Sequence, residues 1–213
     1  MGSRDFDLDC VTWIGPPISD STILARCPKE LRSLLEQVDG CIQFHGGFHI
    51  RGACKRPVWH SLRNAWNGKQ SIHALYPEVA KEDIPFAEDF AGDQYLLRHD
   101  SVIVLRAETA QVETTGLPLF DFLEAAQTNP EQFLTLPQNS KFVTGEIALE
   151  PGELLGVWPP FCTSYDESTY KTWPQPAIRH RLFLAALAKE IRGIPDGGTF
   201  HCAKFLAAHP LRK

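Results

Sequence analysis

No glycine-rich phosphate cradle is present. Neither G-x-x-x-x-G-K-[ST] nor G-x-G-x-x-G occurs in the 213 residues, and GGFHIRG carries its glycines in the wrong order. No G-x-S-x-G elbow occurs either, so HGGF at 45–48 has no nucleophile to serve as an oxyanion motif. HExxH and CxxC are both missing. The six cysteines, at 10, 27, 41, 54, 162 and 202, are scattered and read as free thiols. No apolar run approaches the roughly 20 residues of a membrane span. The opening MGSRDFDLDC has no apolar stretch of a secretion signal, and Phe6 stands where a myristoylation signal requires Ser or Thr. A cytoplasmic protein without cofactor or metal is the expectation.

What is present is an uneven charge. The formal net charge is −5, but residues 76–131 hold twelve acids against three bases, a net of −9. Residues 51–75 hold five bases and no acid. The hydrophobic fraction of 43% is ordinary for a globular chain long enough to bury a core without staples.

Residues 1–26 show little periodicity and are expected to form an irregular lead-in. Pro28, then Leu31, Leu34, Leu35 and Val38, predict a helix that Gly40 stops. IQFHGGFHIRG, 42–52, alternates on either side of Gly46-Gly47 and predicts two strand pieces around a break. A helix over 58–67 places Trp59, Leu62 and Trp66 on one stripe, and 70–83 connects. IPFAEDF, DQYLLRH, SVIVLRA and QVETTG then predict a meander, and Pro118 opens a helix that Asn129-Pro130 ends. Beyond it, EIALEPGELLGVW predicts a hairpin turning at EPGE. A long helix at 176–192 follows, with Ile178, Leu182, Leu187 and Ile191 on its apolar face; Gly193, Pro195 and Asp196-Gly197-Gly198 close it. The fold class is α+β: an antiparallel (mixed) sheet with helices packed on it over 27–134, and a C-terminal α/β extension, 135–213, packed on that core.

IPFAEDFAGDQYLL, 84–97, sets three carboxylates among large apolar side chains. In an extended segment Glu88 and Asp89 point to opposite faces, so they do not converge on one substrate. The spacing is not that of a Ca²⁺ loop. His45 and His49 flank the glycine pair and His201 adjoins Cys202, which falls short of a clustered zinc site. Two readings stay open: the acids form a surface for another molecule, or Asp89 and Asp93 fix a loop by accepting backbone N–H bonds. The stretch RGACKRPVWHSLRNAWNGK, 51–69, offers bases and tryptophans to a nucleic acid, although Trp59 and Trp66 sit at helical core spacing.

Gly46-Gly47 on a strand, then Ile84-Pro85-Phe86-Ala87 with Asp89, Gly92 and Asp93 just after, then SVIVL and the helix LFDFLEAA, resemble the SUKH superfamily. This family comprises fungal Smi/Knr-type cell-wall regulators and many bacterial toxin-immunity proteins. The resemblance spans about 28–134. It implies a SUKH-like fold, a non-enzymatic binding protein and, as partner, a cognate protein toxin such as a type VI or contact-dependent secreted effector, often one acting on nucleic acid. The motif residues Gly46, Gly47, Ile84, Pro85, Phe86, Ala87 and Gly92 are then structural, and Ile84-Pro85-Phe86 is core. Glu82, Asp83, Glu88, Asp89, Asp93 and Asp100 are the candidate acidic surface, imitating the polyanion that a basic toxin cleft binds. No membrane or nucleic-acid partner is expected. A regulatory scaffold that binds host proteins is the alternative, with a nucleic-acid module at 51–69 behind it.

Overall fold

The computed structural model describes residues 5–134, 136, 141–195 and 197–210, without the side chain of Glu167. Asp196 of the helix-closing run and the first four residues of the lead-in lie outside the described residues.

The sheet has seven strands in sequence order, each antiparallel to the next: β1 (Val11–Ile14), β2 (Cys41–Gln43), β3 (Phe48–Ile50), β4 (Ile84–Asp89), β5 (Gln94–Arg98), β6 (Ser101–Arg106) and β7 (Gln111–Thr114). Nothing crosses over, because each connection is a turn or a helical excursion that returns to the neighbouring position. The helical elements are α1 (Ser21–Arg26), α2 (Lys29–Gln37), α3 (Leu62–Asn67), α4 (Ile72–Leu75), α5 (Leu119–Thr128), α6 (Pro130–Phe133), α7 (Ala177–Ile191) and α8 (Cys202–Ala208). A separate hairpin, β8 (Glu153–Trp158) with β9 (Lys171–Pro176), leads into α7. The chain is α+β.

Alternation assigns each strand two faces. Phe48, Ile50, Tyr95, Leu97, Val102 and Val104 point to one face and pack with Leu31, Leu34 and Leu35 of α2 and Phe122 and Leu123 of α5. Leu96, Ile103 and Leu105 point to the other. They pack with Ile72 and Tyr76 around α4 and with Leu184, Ala185 and Ala188 of α7. The sheet is therefore covered on both sides, and the C-terminal extension supplies part of the second cover.

Several expectations shift. The lead-in is not irregular throughout: it contains β1, which extends the sheet through Trp13↔Ile42 and Ile14↔Cys41, and α1, which Asp20 caps by accepting from Ile23 N. The second helix begins at Leu62, so Trp59 lies in the turn before it rather than on its stripe. The connection 70–83 contains α4. EPGE does turn, with Glu153 N donating to Glu150 O and Gly152 at φ +95, but β8 pairs with β9 and 146–150 is not a strand. The predicted face of α7 is met at Leu187, which is fully buried, but not at Ile178, Leu182 and Ile191. Ala177, His180, Arg181, Leu184, Ala185, Leu187 and Ala188 are buried, while Ile178 and Leu182 are half-exposed. A neighbouring charge, not hydrophobicity alone, sets that phase, because Arg181 points inward.

Gly92 shows how tightly α7 seats on the sheet. It ends the β4–β5 turn at φ +98, and a Cβ there would lie 2.6 Å from Leu184 Cδ1. Positive φ and a side-chain clash both exclude larger residues. We expect Gly92→Ala to cost about 1–3 kcal/mol in chemical denaturation, with an unchanged urea midpoint refuting the tight seating of α7.

Candidate functional site

One row of directly opposed residues crosses the second face of the sheet: Trp13, Ile42, His49, Glu88, Gln94, Leu105 and Val112. Its outer members are apolar or aromatic, whereas the middle three carry the polar groups of the motif region. Arg51 lies two residues beyond His49 and so shares its face. A bulge in β4, where the register shifts between Pro85 and Ala87, leaves two carbonyls turned toward it. Arg51 Nη1 donates to Pro85 O at 2.8 Å and Ala87 O at 3.1 Å, and Nη2 donates to Gln94 Oε1 at 2.7 Å.

Glu88 is fully buried and sits between two guanidiniums. Arg51 Nη2 is 2.9 Å from Oε2. From above, Arg181 of α7 donates Nε to Oε2 at 2.7 Å and Nη2 to Oε1 at 2.8 Å, the forked geometry that makes such pairs strong. Arg181 Nη2 also donates to Trp59 O at 3.0 Å. Burial by itself pushes the Glu88 carboxyl up, but Arg181, Arg51 and the His49 hydrogen bond outweigh it and hold the pKa well below the usual carboxylate range. Burial lowers Arg51 to about 10, which leaves it charged at neutral pH.

The imidazoles continue the chain outward. His49 Nδ1 lies 3.1 Å from Glu88 Oε1, His49 Nε2 lies 2.7 Å from His60 Nδ1, and His60 Nε2 lies 3.0 Å from Asp39 O. The chain ends on an acceptor at both sides. Three contacts therefore require three ring hydrogens, and two neutral imidazoles carry two. A third proton would complete the chain, but the two arginines already outnumber the one carboxylate, and burial opposes further charge. Burial is the largest cause holding His49 below the ordinary value and His60 down to about 3. Burial thus favours the neutral form of both rings, which leaves one of the three contacts without a hydrogen. The His60 ring is enclosed: a Cβ on Gly15, Gly40 or Gly52 would come within 2.6 Å of it, and Trp13 and Trp59 pack on it.

The other acids of the motif are also inside. Asp89 Oδ1 accepts the backbone N–H groups of Ala91, Gly92 and Asp93, each at 3.0 Å, and Oδ2 accepts from the Tyr95 hydroxyl at 3.3 Å. Asp93 Oδ1 accepts from Ala107 N at 2.7 Å and Oδ2 from Arg106 Nη1 at 3.0 Å. Burial raises both carboxyls, and the charge of Asp93 adds to the rise at Asp89. Asp83 binds Arg98 through both carboxylate oxygens, at 2.9 and 2.7 Å. Of the six acids expected to form a docking surface, Asp83, Glu88, Asp89 and Asp93 are thus removed from solvent and spent on internal partners. Only Glu82 and Asp100 are exposed. The loop-fixing reading of Asp89 and Asp93 describes their contacts. Gly46 (φ +104), Gly47, Ile84, Pro85, Phe86, Ala87 and Gly92 all lie in the β2–β3 or β4–β5 framework around them.

Sequence reasoning did not find Arg181 and His60, which lie far from the motif in the chain. An arginine on the apolar stripe of α7 was the available signal. It also did not find the acidic groove between the lead-in and α5. That groove has a volume of about 530 Å³, with Asp5, Asp7 and Glu124 on its walls and Phe6, Phe120 and Leu123 in its floor. Gln127 Nε2 donates to Asp7 O at 2.8 Å and Phe6 N to Gln37 Oε1 at 2.9 Å, which fixes the lead-in against the two helices. Of the basic stretch, Arg51 is buried and Arg63 is paired with Asp20. Among the described residues, no group of three or more His, Cys, Asp and Glu could hold a metal ion, and no helix is long and apolar enough to cross a membrane. No family model, curated protein or solved structure matches the chain.

Neutralising Glu88 by Glu88→Gln leaves two guanidiniums without their counter-charge. It should cost about 3–5 kcal/mol of unfolding free energy in urea, and a loss below 1 kcal/mol would show that the cluster does not hold α7 to the sheet. Stability should also depend on pH. Burial lowers His60 to about 3 and His180 to about 4, so between these values and the ordinary 6.5 the native state binds fewer protons than the unfolded chain. Their contribution is complete above 6.5 and is lost as pH falls, each at up to about 1.4 kcal/mol per unit. Asp39 acts in the opposite sense: burial raises it to about 6, so its contribution is present below 3.8 and is lost as pH rises through 6. His60→Gln should flatten the fall of unfolding free energy between pH 6.5 and 5 relative to wild type. Equal slopes would place the lost protons elsewhere.

Proposed function

We propose that this protein is a non-enzymatic binding module that neutralises a bacterial toxin by covering its functional surface, as the resemblance to the SUKH superfamily implies. The acidic groove between residues 5–7 and α5 carries the reading. Its walls hold three carboxylates and its floor is aromatic and aliphatic. A basic segment seated there would meet opposite charge at the rim and bury apolar contacts beneath it. Rim charge speeds encounter, and the apolar floor supplies the slow dissociation. Glu82 and Asp100 extend the acidic surface elsewhere on the molecule.

Two further observations favour binding over catalysis. Glu88, Asp89 and Asp93 are each held by internal donors, so the motif braces the fold and leaves recognition to the outer surface. The nucleic-acid reading of 51–69 loses two of its five bases, Arg51 to the interior and Arg63 to Asp20.

Co-expression with the product of the adjacent gene tests the proposal. Rescue from toxicity and a stable complex are expected. Intact toxicity, together with stable complexes to housekeeping proteins, would favour a regulatory scaffold and sink the toxin reading. Asp5→Lys, Asp7→Lys and Glu124→Lys combined should slow capture about 10-fold or more at low salt and much less at high salt, with circular dichroism confirming the fold. Capture at the wild-type rate would remove the groove from the interface.

A further inference from the structure

A second cavity lies on the opposite side of the sheet from α5, where α7 passes the end of α3 and α4. Its volume is about 350 Å³, at the small end of ligand sites. Among the described residues, Arg181 and Lys69 are its only charged lining residues, and both are cationic. Asn64 contributes an amide, and Leu75, Ile178 and Leu182 form an apolar wall.

Arg181 connects this cavity to the buried cluster. Its Nε and Nη2 are committed to Glu88 and Trp59 O. Among the described residues, Nη1 has no acceptor. The side chain is only 9% exposed, so a ligand reaching it meets a guanidinium held rigidly by a carboxylate and a carbonyl. Arg181 therefore brings one cation to the cavity, and Lys69 adds a second at the mouth; among the described residues no carboxylate lines it. An anion in this cavity would meet two cations and would offer Arg181 Nη1 the acceptor it lacks. The apolar wall of Ile178, Leu182 and Leu75 explains why two half-exposed large side chains sit on the outer face of α7: they line a pocket. Inorganic ions would leave that wall dry and unused.

We propose that the cavity beside Arg181 is a binding site for a small monocarboxylate with a short apolar chain, its carboxylate toward Arg181 Nη1 and Lys69 and its chain along Leu75, Ile178 and Leu182. The site is independent of the toxin reading, since it lies on another face and requires no protein partner.

Titration of the full chain with sodium hexanoate, 1-hexanol and hexylammonium chloride, followed by calorimetry and thermal unfolding, tests this. Hexanoate should bind with a dissociation constant of about 1 mM and at least about tenfold more tightly than hexanol, while hexylammonium should not bind. Lys69→Glu alters an exposed residue and should weaken hexanoate by about fivefold or more while leaving hexanol unchanged. Leu182→Trp fills the cavity and should abolish binding of both. Equal affinity for hexanoate and hexanol, no hexanoate binding up to about 50 mM, or wild-type affinity in Lys69→Glu would each overturn the proposal. Because Lys69→Glu does not touch the buried cluster, its result stands even if Leu182→Trp fails to fold.

Discussion

The carboxylate of Glu88, fully buried, ties the C-terminal helix α7 to the middle of the sheet. It sits at the centre of the sheet, accepts from Arg51 on its own layer and from Arg181 on the helix above, and is reached by His49 from the neighbouring strand. A buried ion pair is not by itself evidence of stability, because desolvation costs as much as attraction returns. Its effect here is positional. Each oxygen of Glu88 has a defined donor, so α7 seats with only one rotation and one register over β4 and β5. Leu184, Ala185 and Ala188 then meet Leu96, Ile103 and Leu105 as a consequence.

The same constraint explains why the acids of the motif are not a docking surface. Asp89 closes the β4–β5 turn, Asp93 ties the turn to the start of the β6–β7 connection through Ala107 N, and Glu88 ties the sheet to the helix. Three carboxylates in a short stretch have three separate structural duties. A count of charge along the chain cannot distinguish this from an exposed acidic face, because burial is a property of the third dimension. The acidic groove at α5 is assembled instead from the lead-in and a helix more than a hundred residues later.

Binding by such a molecule would use what the brace leaves exposed. The sheet is covered on both faces and most of its polar interior is satisfied internally, so the surfaces open to another molecule are grooves at the edges of the helical layers. One of these grooves is acidic and the other is cationic. Among the described residues, that opposition follows from which groups line each groove: Asp5, Asp7 and Glu124 at the lead-in, and Arg181 and Lys69 under α7.

Local pattern determined a good part of the architecture. Period-two alternation in DQYLLRH and SVIVLRA, Pro28 and Pro118 before apolar helical spacing, and the glycines at 46, 47 and 92 were enough to place β2 to β7, α2 and α5, because those signals depend on neighbours a few residues away. The short β1 and α1 escaped, since four and six residues give too little periodicity, and β1 is strand only because β2 offers it an edge. The EPGE hairpin failed because β8 found its partner nearly twenty residues on, in β9. What tertiary structure alone decided is which face of α7 points inward and which acids reach water. Both answers depend on Arg181 meeting Glu88 across 93 residues of sequence, a charge pairing that no local period encodes.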